Sequence, residues 1–156
     1  MRLDKLRDEV ACELELMEQT AVELQALGAA VGGQEPTVTL KAAAAAFLTQ
    51  LFGGIERVLV RIGKHMGVEP PSGPHWHAAL LDLFTEGTAC GLPALLAGDL
   101  GKDLQTMRAL RHVYTHMYSS LLQWSQMLPG IDAAPEVLAR FRAAVEGWLA
   151  QQDEER

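Results

Sequence analysis

Aromatic residues are scarce in this chain, at 6% of 156 residues. Runs of β-branched and aromatic residues, the mark of strands, are nearly missing, which argues against a sheet. The two cysteines, Cys12 and Cys90, lie far apart, and neither sits in a CxxC pair. A zinc ribbon or a disulfide framework is therefore excluded. Each cysteine is expected to be a small buried hydrophobe in a reducing, cytoplasmic setting. The start, Met1-Arg2-Leu3-Asp4-Lys5, is charged and amphipathic, unlike a secretory leader. The longest apolar stretch, Ala42 to Ile55, is interrupted by Thr49 and Gln50. It falls short of the roughly 18 residues of a spanning helix, so no membrane association is expected. Positive charge is in deficit too: the net charge is −7. That opposes broad, sequence-independent binding of nucleic acid, but leaves room for a small cleft of local positive charge or for a basic partner.

What the chain has is alanine, leucine and 49% hydrophobic residues against 21% charged. This is enough for a core, and these residues lose little side-chain entropy in helices. Leu3, Leu6, Val10, Met17, Leu24 and Leu27 recur at helical spacing, predicting a first helix over 3–27. Gly28, Gly32, Gly33 and Pro36 should end it. A second helix is predicted over about 38–66, capped by Thr37 or Thr39. Gly53-Gly54 within it suggests close approach of a neighbour. Pro70-Pro71-Ser72-Gly73-Pro74 breaks the chain before a short third helix from about His75 to Glu86. Gly87 to Gly98 is weakly patterned, with room for one helical turn at Ala94–Ala97. Asp99 should cap a long fourth helix, which Pro129-Gly130 would stop near 128. Pro135 should open a fifth, ending near Ala150. With short loops and neither repeat nor linker, the expectation is one all-α domain over 1–156, core about 3–151. Its architecture would be an up-and-down helical bundle of four to five helices.

The chemistry concentrates in Arg108-Ala109-Leu110-Arg111-His112-Val113-Tyr114-Thr115-His116-Met117-Tyr118. On a helical wheel Leu110, Val113, Tyr114, Met117, Leu121 and Trp124 share one arc, expected to face the core. Arg108, Arg111, His112, Thr115, His116 and Tyr118 share the other. Three readings stand side by side. The arc is a solvated basic surface; or His112 and His116, four apart, hold zinc, though no cysteine or carboxylate accompanies them locally; or the arc does phosphodiester chemistry. In the last case a guanidinium holds the phosphate while an imidazole moves protons. RNA brings its own nucleophile, the 2′-hydroxyl, so such a site needs neither metal nor cofactor. A symmetric dimer would supply two copies of each group. Glu56 and Arg57 read as an exposed ion pair or as support for such a cleft. His75 and His77 read as dressing for the third helix, with a metal role as the alternative, and Trp76, Trp124 and Trp148 as core or interface anchors rather than base-stacking platforms.

The order Arg111, four residues, His116, one residue, Tyr118 resembles the motif of the HEPN superfamily, specifically the HepT-like ribonuclease toxins. Two further stretches are similar to theirs: Phe52-Gly53-Gly54-Ile55-Glu56-Arg57-Val58, and Pro71-Ser72-Gly73-Pro74-His75-Trp76-His77-Ala78-Ala79-Leu80-Leu81. The resemblance covers about residues 5–150. One departure is His112, where many members carry Asn or Asp after the motif arginine. The resemblance implies a homodimer with the two motif helices meeting at a cleft. It further implies a metal-independent endoribonuclease with Arg111 and His116 catalytic, and Arg108 and His112 as possible contacts to RNA phosphate. The implied partner is an MntA-like minimal nucleotidyltransferase antitoxin (as in HepT–MntA, type VII, systems) that adds AMP to Tyr118. The alternative is a catalytically weak HEPN dimer serving as that enzyme's binding partner and AMPylation target.

Overall fold

The computed structural model of the chain describes residues 2–86 and 91–155; Cys90 and the first part of the weakly patterned segment lie outside them. Five helices carry the described chain: α1 (Arg2–Val31), α2 (Val38–His65), α3 (Trp76–Thr85), α4 (Asp99–His116) and α5 (Trp124–Glu154), with a 3-10 turn at Ser119–Leu121 between the last two. The all-helical bundle expected from the composition is thus found, and no strand occurs among the described residues.

The second helix organises the rest. Thr37 starts it, its hydroxyl accepting the Leu40 amide at 3.2 Å. Its apolar positions, among them Leu48, Phe52, Ile55, Leu59 and Ile62, are almost wholly buried. It packs against α1, α3, α4 and α5. An 18-residue window of α2 has a mean hydropathy of 1.4, so by length and composition this helix is apolar enough to cross a membrane. The expectation drawn from Ala42–Ile55 alone missed this; here the apolar surface is the centre of the bundle. Gly54 permits close approach to α1: a Cβ there would stand 2.5 Å from Met17 Cγ.

Helix α1 runs a full turn beyond its expected end. Gly28 does not stop it, but faces α5, where a Cβ would lie 3.3 Å from Ile131 Cγ2. The helix gives way at Gly32, in the left-handed region at φ +59°. Cys12, expected inside, is exposed, because it falls between the buried Val10 and Leu14 on the solvent side of α1. Ala94–Ala97 does form a turn, closed by the Ala97 amide on the Ala94 carbonyl at 3.4 Å. The cap of α4 is Gly98, with Asp99 one place inside in the first turn.

The largest departure from the expected boundaries lies between α4 and α5. The predicted fourth helix ends at His116, not near 128. Met117 (φ −101°, ψ 141°) and Tyr118 (φ −59°, ψ 135°) are extended, and helical geometry resumes at Trp124. Ser119 and Ser120 sit in this break, where their hydroxyls favour turns over helix interiors. Neither proline interrupts α5. Pro129 removes the donor to the Ser125 carbonyl, which lies in the exposed first turn and can take water. Pro135 removes the donor to the Ile131 carbonyl, deep in the bundle. There Gln25 Nε2 of α1 donates to that carbonyl at 2.6 Å, replacing the lost bond.

Candidate functional site

The α1-facing side of α2 is tied down by charge. Glu13 accepts from Arg57 Nε at 2.6 Å and from Arg61 Nη1 at 2.9 Å, and Arg61 also stands 3.6 Å from Glu9. Burial pushes the Glu13 carboxyl up, but the hydrogen bonds from Arg61 and Arg57 outweigh it and hold the group below its ordinary range. Glu56 and Arg57 therefore do not form the exposed pair expected of neighbours. Arg57 reaches back to α1, while Glu56, 4% exposed, points to α3.

There Glu56 bonds His77, in the first turn of α3, and His77 faces Arg111 of α4. Glu56 Oε2 meets His77 Nδ1, and Arg111 Nη1 stands 3.4 Å from His77 Nε2. A guanidinium can only donate. The contact therefore uses the Nε2 lone pair and places the imidazole proton on Nδ1, where it donates to Glu56. Burial raises the Glu56 carboxyl above its ordinary value, with His77, Arg111 and Arg57 opposing the rise. His77 is thus a half-buried link between a carboxylate and the motif arginine, not a mere dressing of the helix start. Trp76 stacks on its ring, centroids 3.6 Å apart, and is only half-buried, unlike the buried anchors Trp124 and Trp148.

These groups line a cleft of about 440 Å³, walled by Gly53, Glu56, Arg57, Val60, Arg61, Lys64, Trp76, His77 and Arg111. Its volume lies in the range of small-ligand sites, roughly 300–1,000 Å³. Four of its side chains are fixed cations and one is a carboxylate, against the acidic balance of the whole chain. Within it Arg111 Nε is buried without an acceptor among the described residues.

The other motif residues gather at the far end of α4. The rings of His112 and His116 stack, centroids 4.3 Å apart, and both are exposed. His116 Nδ1 lies 2.8 Å from the His112 carbonyl. Since a carbonyl only accepts, Nδ1 carries the proton and Nε2 keeps its lone pair for an outside group. Tyr118 is 82% exposed. It follows the end of α4, so the helical-register argument that aligned it with Arg111 does not apply. Tyr114 is half-buried rather than fully buried, and its shielded hydroxyl has no partner among the described residues. Burial raises the Tyr114 hydroxyl above its ordinary value.

The arc expected to face the core does not do so along its whole length. Val113, Met117 and Leu121 are exposed, because α4 packs into the bundle through its first turns, at Leu100, Gly101 and Leu104. Arg108 turns aside, its Nε donating to Gln105 Oε1 at 2.8 Å. Nor does one copy of the chain join Arg111 to His116 by any hydrogen bond. Five residues at about 100° each set their directions about 140° apart around the helix, and about 7.5 Å apart along it. Arg111 looks into the cleft, and His116 looks out with His112. Among the described residues no group of three or more His, Cys, Asp or Glu side chains is gathered as a metal site.

The missed role is that of His77; Glu56, read as half of an exposed pair or as support for a cleft, takes the second of these parts, as the partner of His77. A glutamate in the buried stripe of α2, between Phe52 and Leu59, was the available signal, since a buried carboxylate needs a partner. No curated protein and no solved structure matches the chain. A family model described as HepT-like protein matches residues 43–151, a span that contains α2 from its sixth residue on, the cleft and the whole Arg111–His116–Tyr118 motif, and the chain belongs to this HepT-like family of the HEPN superfamily.

Proposed function

We propose that this HepT-like chain is a metal-independent endoribonuclease toxin, working as a homodimer in the cytoplasm and controlled by a minimal nucleotidyltransferase antitoxin. The observation that carries the reading is the state of His116: an exposed imidazole whose Nδ1–H is committed to a backbone carbonyl, leaving Nε2 as a base. Exposed Val113, Met117 and Leu121 around it form an apolar surface suited to a second copy. A two-fold arrangement would bring Arg111 of one copy towards His116 of the other, which a single α4 keeps apart.

In this reading His116 Nε2 takes the proton of an RNA 2′-hydroxyl, whose oxygen attacks the adjacent phosphorus. Arg111 stabilises charge on the non-bridging oxygens. The bond to the 5′-oxygen breaks, and that oxygen leaves with a proton from the second imidazole. The products are a 2′,3′-cyclic phosphate and a 5′-hydroxyl. Arg108 and His112 serve at most as outer contacts to the RNA backbone. Silencing follows when the Tyr118 oxygen attacks the α-phosphorus of ATP on the antitoxin and pyrophosphate leaves. The exposure of Tyr118 suits that reaction, and the added phosphate would compete with RNA for nearby cations.

A second reading, a catalytically weak dimer that serves as binding partner and AMPylation target, draws on the turn of Arg111 away from His116 and towards His77. RNA cleavage in EDTA separates the two. Cleavage with cyclic-phosphate ends, lost in Arg111→Ala and His116→Ala, is expected. Cleavage that persists in His116→Ala, or that needs a divalent metal, would refute the mechanism; none at all in wild type would leave the second reading. For the antitoxin, co-expression should add AMP mass to wild type and not to Tyr118→Phe.

A further inference from the structure

We propose that the cleft between α2, α3 and α4 is a nucleotide-binding subsite complete within one subunit, taking a phosphate on Lys64, Arg57 and Arg111 and the attached base against Trp76. The donor count favours an anion. Arg57 spends its Nε on Glu13, which leaves its terminal amines uncommitted. Lys64 is exposed and makes no ion pair among the described residues. Among the described residues the side-chain hydrogen bond of Arg111 is the 3.4 Å contact to His77, and its buried Nε has no acceptor. The one carboxylate on the wall, Glu56, is already engaged by His77. The cleft therefore holds a surplus of fixed positive charge, with guanidinium donors that match phosphate oxygens.

The remaining wall selects among anions. Trp76 and Val60 give the cleft an apolar side, and an indole face is a general platform for a base. The cleft volume of about 440 Å³ suits one nucleotide. Arg111 belongs both to this cleft and to the helix that carries His116, about 7.5 Å further along. A strand of a few nucleotides can pass from the cleft around the turn of about 140° to His116, so the subsite would hold the strand a short way from the bond to be cut. The choice of an RNA strand as the natural source rests on the ribonuclease reading. The phosphate-and-base chemistry does not, and a free mononucleotide would meet the same groups.

The test uses the full chain and a fluorescein-labelled RNA oligomer fully 2′-O-methylated, which cannot be cleaved. Anisotropy gives its affinity as a function of salt. Lys64→Gln should weaken binding about five- to tenfold and lower the slope of log affinity on log salt by about 0.7, the value of one phosphate contact on a single strand. Lys102→Gln makes the same change of charge at the start of α4, outside the cleft, and should change binding less than twofold. AMP should compete with the oligomer, and ribose 5-phosphate, which lacks a base, should compete at least fivefold more weakly. AMP bound by wild type and lost in Lys64→Gln, without oligomer binding, would support the site with a free nucleotide as ligand. Equal losses in the two lysine variants, or equal competition by AMP and ribose 5-phosphate, would overturn the proposal. Binding that follows the pattern in a chain that cleaves no RNA would sink the ribonuclease reading alone; normal cleavage with an unchanged KM in Lys64→Gln would sink the subsite alone.

Discussion

Replacing Gln25 with Met should destabilise the protein through a proline more than a hundred residues away. Pro135 cannot donate to the Ile131 carbonyl, and the Gln25 side chain does so instead at 2.6 Å. Ile131 is 1% exposed, so water does not substitute. Met keeps the length and helix propensity of Gln but offers no donor. The orphaned carbonyl should cost about 1–3 kcal/mol. For a chain of this size that is about 2–4 °C of Tm for each kcal/mol lost. The cause is isolated by a second change. Pro135→Ala restores an amide to the helix, and its own effect on the unfolded chain appears in both backgrounds and cancels. In the Pro135→Ala background, Gln25→Met should cost less than about 0.5 kcal/mol, which leaves a coupling of about 1 kcal/mol or more. Urea unfolding of the four proteins at one fixed protein concentration measures this, with m unchanged across the set. Equal losses from Gln25→Met in both backgrounds would show that the side chain does not stand in for the missing amide.

Two further outcomes are expected. Glu13 has a folded-state pKa below its ordinary 4.5, so its contribution is complete above that value and is lost as the pH falls through the folded value. Glu13→Gln should therefore cost about 1–2 kcal/mol at pH 7, discounted because Arg57 is more than half exposed, and the gap to wild type should shrink in thermal melts run towards pH 3. A gap independent of pH would place the contribution elsewhere. Light scattering at micromolar concentration should give a dimer for wild type and a monomer of unchanged helicity for Leu121→Asp, since Leu121 is 62% exposed in the 3-10 turn that follows α4. A monomeric wild type would remove the shared-cleft geometry.

The helices were legible where spacing and burial coincide, as in α1, whose Leu3, Leu6, Val10, Met17 and Leu24 are all buried as read. The break at Met117 was not, because apolar spacing continues straight across it: Val113, Met117, Leu121 and Trp124 follow one another at fours and threes. A continuous helix and two helices joined by an extended turn produce the same pattern. The prolines misled for a related reason. A proline breaks a helix through a carbonyl it leaves unpaired, and whether that carbonyl finds a partner depends on the distant Gln25, not on the local sequence.

The same division of local from distant runs through the site. Arg111 and His116 were readable as residue types with the right chemistry, and their five-residue spacing already contained the angle that separates them. What the spacing could not contain was the group Arg111 would meet. That is His77, whose proton is set on Nδ1 by Glu56 and whose lone pair is turned to the guanidinium. Glu56 is placed by α2, His77 by α3 and Arg111 by α4, so the link exists only once three helices have packed. The consequence is a motif arginine already oriented in the free subunit. A guanidinium held by its own subunit loses less freedom on meeting a phosphate than one left to solvent, so the cost of ordering it is met in folding rather than in binding. The imidazole has the opposite character: His116 is fixed in tautomer by one carbonyl but open to whatever comes against α4. If a second copy is what comes, each subunit contributes a pre-set cation and receives a base, and neither half of the chemistry is complete until the two meet.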